Sequence, residues 1–448
     1  MTTLTLQDMP DDILEMIYSN LDIYNSSNTN IALCKRIKIS SVTTIDTIKT
    51  FQLLPEYYHK YANITCRCYQ DTLDEVYKNK NIYGISIDGL ITSLDNLGDI
   101  KELRINHNYS ISEINILSLV KLSCISTEIK KIHNLINLRH LVFRENKYVN
   151  DISMLTNLVT LDCGYSAIKK VNMLTNLTSL ICDSSKITDI SNLTSLTNLV
   201  CHHTYISNIN HLTNLIYLDC SDSDVDKIDN LVNLKELICR HSDMYKIPNL
   251  INLIILNCGR SKIIDIQAIN LETLYCVATK IISINHLVNL IKLECSESKI
   301  DNIDQLTNLR YLICNDTNIT RVNHLIHLEK LECNRTKISE VNNLIKLRIL
   351  YCDKSLIKDI DKLVNILDLS CAYTLISNVD TLTKLEIINC LGTSITSLIN
   401  STNLCYVVHV YDDIKLPILT DVNLKWKTSP FGNYYVTKSK DGPYIIHV

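Results

Sequence analysis

The segment "LTSLICDSSKITDI" (residues 177–190) is followed, 19 residues further on, by "LTNLVCHHTYISNI" (residues 196–209). The two segments share leucines at their first and fourth places, a cysteine at the sixth, a hydroxyl residue at the ninth and isoleucines at the eleventh and fourteenth. A fixed period of this kind is the signature of a repeat architecture. We therefore expect a chain built from stacked copies of one short unit.

The period continues in both directions from Cys201. The same place is filled by Cys163, Cys182, Cys220, Cys239, Cys258, Cys276, Cys295, Cys314, Cys333, Cys352, Cys371 and Cys390, and upstream by Cys124 and Phe143. The step into Cys276 is 18 residues long. Counting Ile87 and Ile105 before them and His409 after them gives about 18 units, and 14 of the 18 cysteines stand at this place. Because cysteine is small and readily buried, we expect these thiols to be structural and inert.

The shared pattern L-x-x-L-x-C-x-x-[ST]-x-I-x-x-I resembles the leucine-rich repeat, with cysteine replacing one consensus leucine. The resemblance implies an α/β repeat fold, a leucine-rich-repeat solenoid with a parallel strand ladder on its concave face. A unit of 19 residues is shorter than the usual repeat of roughly 20–29 residues. The convex face is therefore expected to hold short extended or 3-10 segments instead of full helices.

Two polar columns accompany the cysteines. A Ser or Thr stands three places after most of them, and we expect its hydroxyl to satisfy backbone groups of adjacent coils. Six places before the cysteine, asparagine recurs at Asn157, Asn176, Asn214, Asn233, Asn252, Asn289 and Asn308. Because asparagine tolerates left-handed backbone geometry, we expect these residues to form the turn that enters each strand.

Two histidines follow Cys201 directly, which raises the question of a metal or catalytic site. No ordered set of acid, base and nucleophile accompanies them, so we predict no catalytic residue and no metal ligand. The remaining alternatives are a solvated polar face and a partner-binding patch, in which Tyr, His and Arg are favoured. The candidate partner-binding residues on the concave face are His202, His203, Tyr217, Asp219, Asp222, Arg240 and His241.

The N-terminus lies outside the repeat and reads as an amphipathic helix. Residues 9–14 ("MPDDIL") and 33–36 ("LCKR") resemble the two parts of the F-box, a small helical motif that binds Skp1. The resemblance implies that Skp1 would contact Pro10, Ile13, Leu14 and Ile17. The alternative is a helix that only caps the open end of the solenoid. With its Ile, Asn and Lys bias, the chain is similar to F-box/leucine-rich-repeat proteins of giant viruses.

These observations predict four regions. Residues 1–50 form an F-box-like helical motif, 51–79 a linker and N-terminal cap, 80–412 the leucine-rich-repeat solenoid, and 413–448 a C-terminal cap. In the last region, alternating stretches around Tyr435 and Ile445 predict short strands.

Composition excludes several classes of function. A net charge of −4 gives no reason to expect a basic face that would bind nucleic acid. The sequence contains no apolar run of 18 residues, so we predict no membrane span. With only 8 glycines and no phosphate-binding loop, we expect neither an enzyme nor a bound cofactor. The N-terminus lacks a secretory signal, which predicts a cytoplasmic protein, in the host-cell cytoplasm if the chain is viral.

The sequence thus predicts a protein–protein interaction protein. The F-box resemblance implies a substrate-recognition adaptor of a Skp1–Cullin–F-box ubiquitin ligase, with the concave face binding the target. The alternative is a stand-alone scaffold or structural interaction protein whose N-terminal helix only caps the solenoid.

Overall fold

The computed structural model describes residues 44–45, 63–66, 84–88, 91–95, 97–404, 406–408, 435–438 and 444–447. The chain divides into two compact units, residues 1–206 and residues 207–448. Every regular element in the described ranges is a β-strand. Within those ranges no helix is long and apolar enough to cross a membrane.

The first unit contains nine strands. They are β1 (Thr44–Ile45), β2 (Asn63–Cys66), β3 (Gly84–Asp88), β4 (Glu102–Asn106), β5 (Lys121–Ile125), β6 (His140–Val142), β7 (Thr160–Asp162), β8 (Ser179–Ile181) and β9 (Asn198–Val200). Each pairs in parallel with the next, and in the repeat region the register joins equivalent residues, such as Leu161 with Leu180.

The second unit repeats this arrangement. Its strands are β10 (Tyr217–Asp219), β11 (Glu236–Ile238), β12 (Lys246–Ile247), β13 (Ile255–Asn257), β14 (Asp265–Ile266), β15 (Thr273–Tyr275), β16 (Lys292–Glu294), β17 (Tyr311–Ile313), β18 (Lys330–Glu332), β19 (Ile349–Tyr351), β20 (Asp368–Ser370), β21 (Ile387–Asn389), β22 (Tyr406–Val408), β23 (Tyr435–Lys438) and β24 (Tyr444–His447). β12 and β14 form a small separate sheet, and the other strands form a parallel ladder from β10 to β22.

Each coil buries the same set of side chains. In the coil of Cys182, the side chains of Leu177, Leu180, Ile187 and Ile190 are, like the thiol, at most 2% exposed. Burying one such aliphatic side chain contributes about 1.5–3 kcal/mol, and every coil contributes several. The buried column of leucine and cysteine therefore stabilises the backbone that carries the outward side chains.

The return side of each coil is made of turns. Leu155 N–H donates to the carbonyl of Ile152 (2.9 Å), and Leu158 N–H donates to the carbonyl of Leu155 (3.1 Å). Two successive turns of this 3-10 type complete the coil without a helix. The predicted solenoid and short return segments are confirmed, whereas the α/β class is wrong for the described residues, because 19 residues leave no length for a helix.

The Ser/Thr column and the Asn column do not make the contacts that the sequence led us to expect. The hydroxyl of Thr204 donates to the carbonyl of Cys201 in its own coil (2.6 Å), and Ser166 does the same with Cys163 (2.7 Å). These hydroxyls therefore close the turn within a coil instead of joining adjacent coils. The Asn146 side chain does join two coils, because its amide donates to carbonyls of the preceding coil.

The asparagines six places before the cysteines do not adopt left-handed geometry. Their amides donate to a carbonyl of the preceding coil, as Asn252 does to Val232 (2.8 Å) and Asn308 to Val288 (3.0 Å). The left-handed residue lies two places after the cysteine, where His203 has φ 53° and Asp316 has φ 57°. These asparagines thus join neighbouring coils. The turn with the left-handed residue follows the strand instead of preceding it.

The ends of the chain are described in part. Strands β1 and β2 continue the parallel pairing upstream of residue 80, and β24 pairs with β22 and with β23 downstream. The strands expected around Tyr435 and Ile445 are therefore present. Pro10, Ile13, Leu14 and Ile17 lie outside the described residues, so the F-box-like motif and the four domain boundaries stay predictions.

Candidate functional site

The outward positions around each strand form what we call the strand-side surface. Relative to the ladder cysteine, these positions are three and one places before it and one and two places after it. In the coil of Cys163 they are Thr160, Asp162, Gly164 and Tyr165. The last of these has a positive φ of 55°, which turns its side chain out beyond the end of the strand.

An ionic cluster occupies the strand-side surface of the first unit. The guanidinium of Arg144 donates to Asp162 Oδ1 (2.7 Å) and to both carboxylate oxygens of Asp183 (3.1 and 2.9 Å). The Asp183 side chain is only 4% exposed, so this pair is better shielded from water than an ordinary surface ion pair. The Arg144 guanidinium also lies 5.7 Å from the ring of Tyr165, within cation–π range.

A glycine makes this cluster possible. Arg144, Gly164 and Asp183 hold the same position, one place after the inward residue, in three successive coils. A Cβ on Gly164 would lie 2.7 Å from Arg144 Cζ, closer than real Cβ contacts. The absence of a side chain at Gly164 therefore opens the path by which Arg144 reaches a carboxylate two coils away.

The two histidines that follow Cys201 have different surroundings. His203 is exposed, and His202 is half-buried with its ring 5.4 Å from that of His203 at 79°. The Nε2 atom of His202 lies 4.0 Å from Asp183 Oδ2. His202 is therefore less exposed than His203, because its ring packs between His203 and the ionic cluster.

The other predicted partner-binding residues lie in the second unit, on two successive coils. Tyr217 and Asp219 point outward from β10, and burial, followed by the nearby Asp219 and Glu236 carboxylates, raises the pKa of Tyr217. Asp219 Oδ1 accepts hydrogen bonds from the backbone N–H (3.1 Å) and hydroxyl (2.8 Å) of Ser221.

Asp222 and His241 are the left-handed residues of these two coils, with φ 51° and 54°. The backbone joins the coils: Asp222 N–H donates to the carbonyl of Arg240 (2.9 Å). The side chains of Asp222, Arg240 and His241 are all exposed. The five residues of this unit thus share one surface, and His202 and His203 lie on the strand-side surface of the first unit.

A second charged area in this unit was not among the predicted site residues. Arg335 forms an ion pair with Asp316, and both are left-handed residues. Nearby, Asp353 Oδ1 accepts hydrogen bonds from Ser370 Oγ (2.7 Å) and Ala372 N–H (2.8 Å). Burial raises the pKa of Asp353 in spite of these donors.

The ladder thiols are excluded from solvent. All 14 are free and buried, and burial raises the pKa of Cys258 and of Cys314 to about 12. A nucleophilic cysteine needs access to solvent and a lowered pKa; all 14 thiols lack the access, and the pKa of Cys258 and of Cys314 is raised instead of lowered. Among the described residues, no group of three or more His, Cys, Asp or Glu side chains could hold a metal ion.

The cluster of Arg144, Asp162 and Asp183 was not predicted from the sequence, because Arg144 and Asp183 are 39 residues apart along the chain. A signal was present in the rarity of glycine. Gly164 and Gly259 both stand one place after a ladder cysteine, and each follows a coil with arginine at that place, Arg144 and Arg240. Only Gly164 makes room for the preceding arginine, because a Cβ on Gly259 would lie 3.9 Å from Arg240 Nε, an ordinary contact.

No family model and no curated protein sequence matches the chain. Among solved structures, a leucine-rich-repeat protein of Leptospira interrogans is similar, with 20% identity over 74% of this chain and 94% of its own and a TM-score of 0.57. Toll in the Drosophila Toll–Spatzle complex has 18% identity over 85% of this chain and 62% of its own, with a TM-score of 0.51. These two likenesses show that the fold is a leucine-rich-repeat solenoid.

The functional domain of InlJ from Listeria monocytogenes, which includes a cysteine ladder, has 22% identity over 75% of this chain and 72% of its own. Its TM-score is 0.48.

Proposed function

We propose that the chain is a non-catalytic, cytoplasmic protein-binding adaptor whose strand-side surface holds a target protein. The observation that supports this proposal is the contrast between inward and outward positions. Leu and Cys recur inward in coil after coil, whereas the strand-side positions carry different side chains, such as Tyr217, Arg240 and Asp316. A fixed frame with a varied row of Tyr, His, Arg and Asp side chains suits recognition of one protein surface.

The finer proposal is a substrate-recognition adaptor of a Skp1–Cullin–F-box ubiquitin ligase. It is supported by the resemblance of residues 9–14 and 33–36 to the F-box. In this role the chain breaks no bond, and it contributes by holding the target near the ligase, which raises the effective concentration of the target.

A pull-down from a eukaryotic lysate tests the finer proposal. The tagged full chain should recover Skp1 and a Cullin, and the double variant Ile13→Asp with Ile17→Asp should lose both. Tyr245→Ala, far from these residues in sequence, serves as the control and should keep both. Recovery of neither protein by the unaltered chain would overturn the ligase role.

The second candidate is a stand-alone interaction scaffold whose N-terminal segment caps the first coil. It is favoured by the parallel pairing of β1 with β2 and of β2 with β3, which places chain upstream of residue 80 on the ladder. Deleting residues 1–42, which leaves β1 in place, separates the candidates. Under capping the melting temperature should fall, whereas under the adaptor role the chain should stay folded and lose only Skp1.

A further inference from the structure

A groove of the second unit runs beside the strand-side surface and has a volume of about 670 Å³. Its lining includes the residues four places before five successive ladder cysteines, which we call the groove row. From one coil to the next, the groove row reads Lys235, Ile254, Glu272, Ile291 and Arg310. Charged and apolar side chains therefore alternate over five coils, and the sign of the charge alternates as well.

The spacing of the groove row is fixed by the backbone. Ile254 N–H donates to the carbonyl of Lys235 (2.9 Å), and Glu272 N–H donates to that of Ile254 (3.0 Å). The same bond joins Ile291 to Glu272 (2.8 Å) and Arg310 to Ile291 (2.9 Å). Neighbouring strands lie about 4.8 Å apart, so successive charges of the row are about 9.6 Å apart.

These side chains are available to a partner. Ile254 and Ile291 line the groove and are 37% and 36% exposed. Within the described chain, neither Lys235 nor Glu272 forms an ion pair within 4.0 Å. Arg310 has only a loose contact of 3.6 Å with Glu329, and the Arg310 side chain is 60% exposed. The row thus offers a positive, a negative and a positive charge with apolar side chains between them.

We propose that the groove row binds a partner segment in the polyproline II conformation with the order acidic-x-x-basic-x-x-acidic. Polyproline II has three residues per turn and rises about 3.1 Å per residue, so every third side chain lies on one face, about 9.3 Å apart. That distance matches Lys235, Glu272 and Arg310 in turn. The residues between the charges are best filled by proline, which favours the polyproline II conformation.

Other extended or helical segments fit the row less well. In a β-strand the side chains of one face repeat about every 6.7 Å, which puts the second charge out of register with Glu272. In an α-helix, side chains seven residues apart lie about 10.5 Å apart, and the mismatch with the row grows to about 2 Å at Arg310. Polyproline II keeps the mismatch below about 1 Å over the whole row.

This inference deepens the proposed function, because it rests on the chain binding proteins and names a chemistry for one contact. The partner segment adds to a target held on the strand-side surface. Its failure would leave capture of Skp1 untouched, so the two proposals fail separately.

Fluorescence anisotropy with labelled synthetic peptides and the full chain tests the groove row. The probe peptide is Glu-Pro-Pro-Lys-Pro-Pro-Glu, and the control peptide, Glu-Pro-Lys-Pro-Pro-Pro-Glu, has the same composition and net charge. Moving the lysine by one residue rotates it by about 120° away from the binding face. The probe should bind at least tenfold more tightly than the control. Equal affinities, or no binding of the probe at millimolar protein, would overturn the proposal.

A charge exchange gives the second arm. Glu272→Lys should weaken probe binding at least tenfold, and a peptide with glutamate in place of the central lysine should regain the affinity on this variant. Lys227→Glu changes an exposed charge seven places after Cys220, away from the groove row, and should leave the affinity of the probe unchanged. Circular dichroism confirms that both variants are folded. Loss of binding without recovery on the exchanged peptide would contradict a direct contact with Glu272.

Discussion

Arg144 and Asp183 are joined by two hydrogen bonds, of 3.1 and 2.9 Å, across the coil that separates them. The bridge passes over Gly164, the residue that would otherwise present a side chain to both partners. An ion pair held in this way keeps one part of the strand-side surface in a single arrangement. This part of the strand-side surface is therefore set before any partner arrives.

Gly164→Ala should destabilise the protein by about 1–3 kcal/mol, because the new methyl group would displace the Arg144 guanidinium and leave the nearly buried Asp183 carboxylate without that partner. Gly259→Ala is the matched control. Its Cβ would meet the carbonyl of Val277 at 3.6 Å, an ordinary contact, so its effect should be neutral or slightly stabilising. Urea unfolding of both variants measures the difference. Equal effects would show that the bridge over Gly164 contributes nothing.

Asn146→Ala should cost more than about 3 kcal/mol, because four hydrogen bonds of a fully buried side chain are lost at once. Asn252→Ala removes one bond on an exposed link and should cost about 0.5–1.5 kcal/mol. Thermal and urea unfolding check the ranking. A larger loss for Asn252 would refute the assignment of Asn146 as the stronger of these two side-chain links between coils.

Asp353→Asn should stabilise the protein at pH 7. Burial raises the pKa of Asp353 in the folded state, so the folded carboxyl holds its proton more tightly than the unfolded one. The contribution of Asp353 to stability therefore falls as pH rises from the unfolded value, about 3.9, through the folded pKa. The free-energy difference between variant and wild type should rise through this window. A difference that does not change with pH would count against the burial of this carboxyl.

Native protein should react with a thiol reagent such as DTNB at no more than four of its 18 cysteines, because the 14 ladder thiols are buried away from the reagent. In denaturant all 18 should react. Mass mapping of labelled peptides identifies the reactive sites. Rapid labelling of Cys201 in the native state would contradict its structural role.

Much of this fold follows from the sequence, because each position of the 19-residue repeat has the same location in every coil. Leu180 and Cys182 recur every 19 residues, so their inward orientation follows from alternation along a short strand. The left-handed turn escaped detection because its position accepts His203, Asp316 or Arg335 without the usual Gly or Asn. The bridge over Gly164 escaped because it depends on three coils together and not on any one motif.

The central claim is that the strand-side surface is the recognition surface. Affinity capture from a lysate, quantified by mass spectrometry, tests it by comparing wild type with a triple variant that carries Tyr217→Ala, Arg240→Glu and His241→Ala. A control variant carries Tyr245→Ala and Lys227→Glu, which lie beyond the turn that follows the strand. The account predicts that proteins retained by wild type and control fall at least tenfold on the triple variant. Equal retention of the same proteins by all three would contradict it.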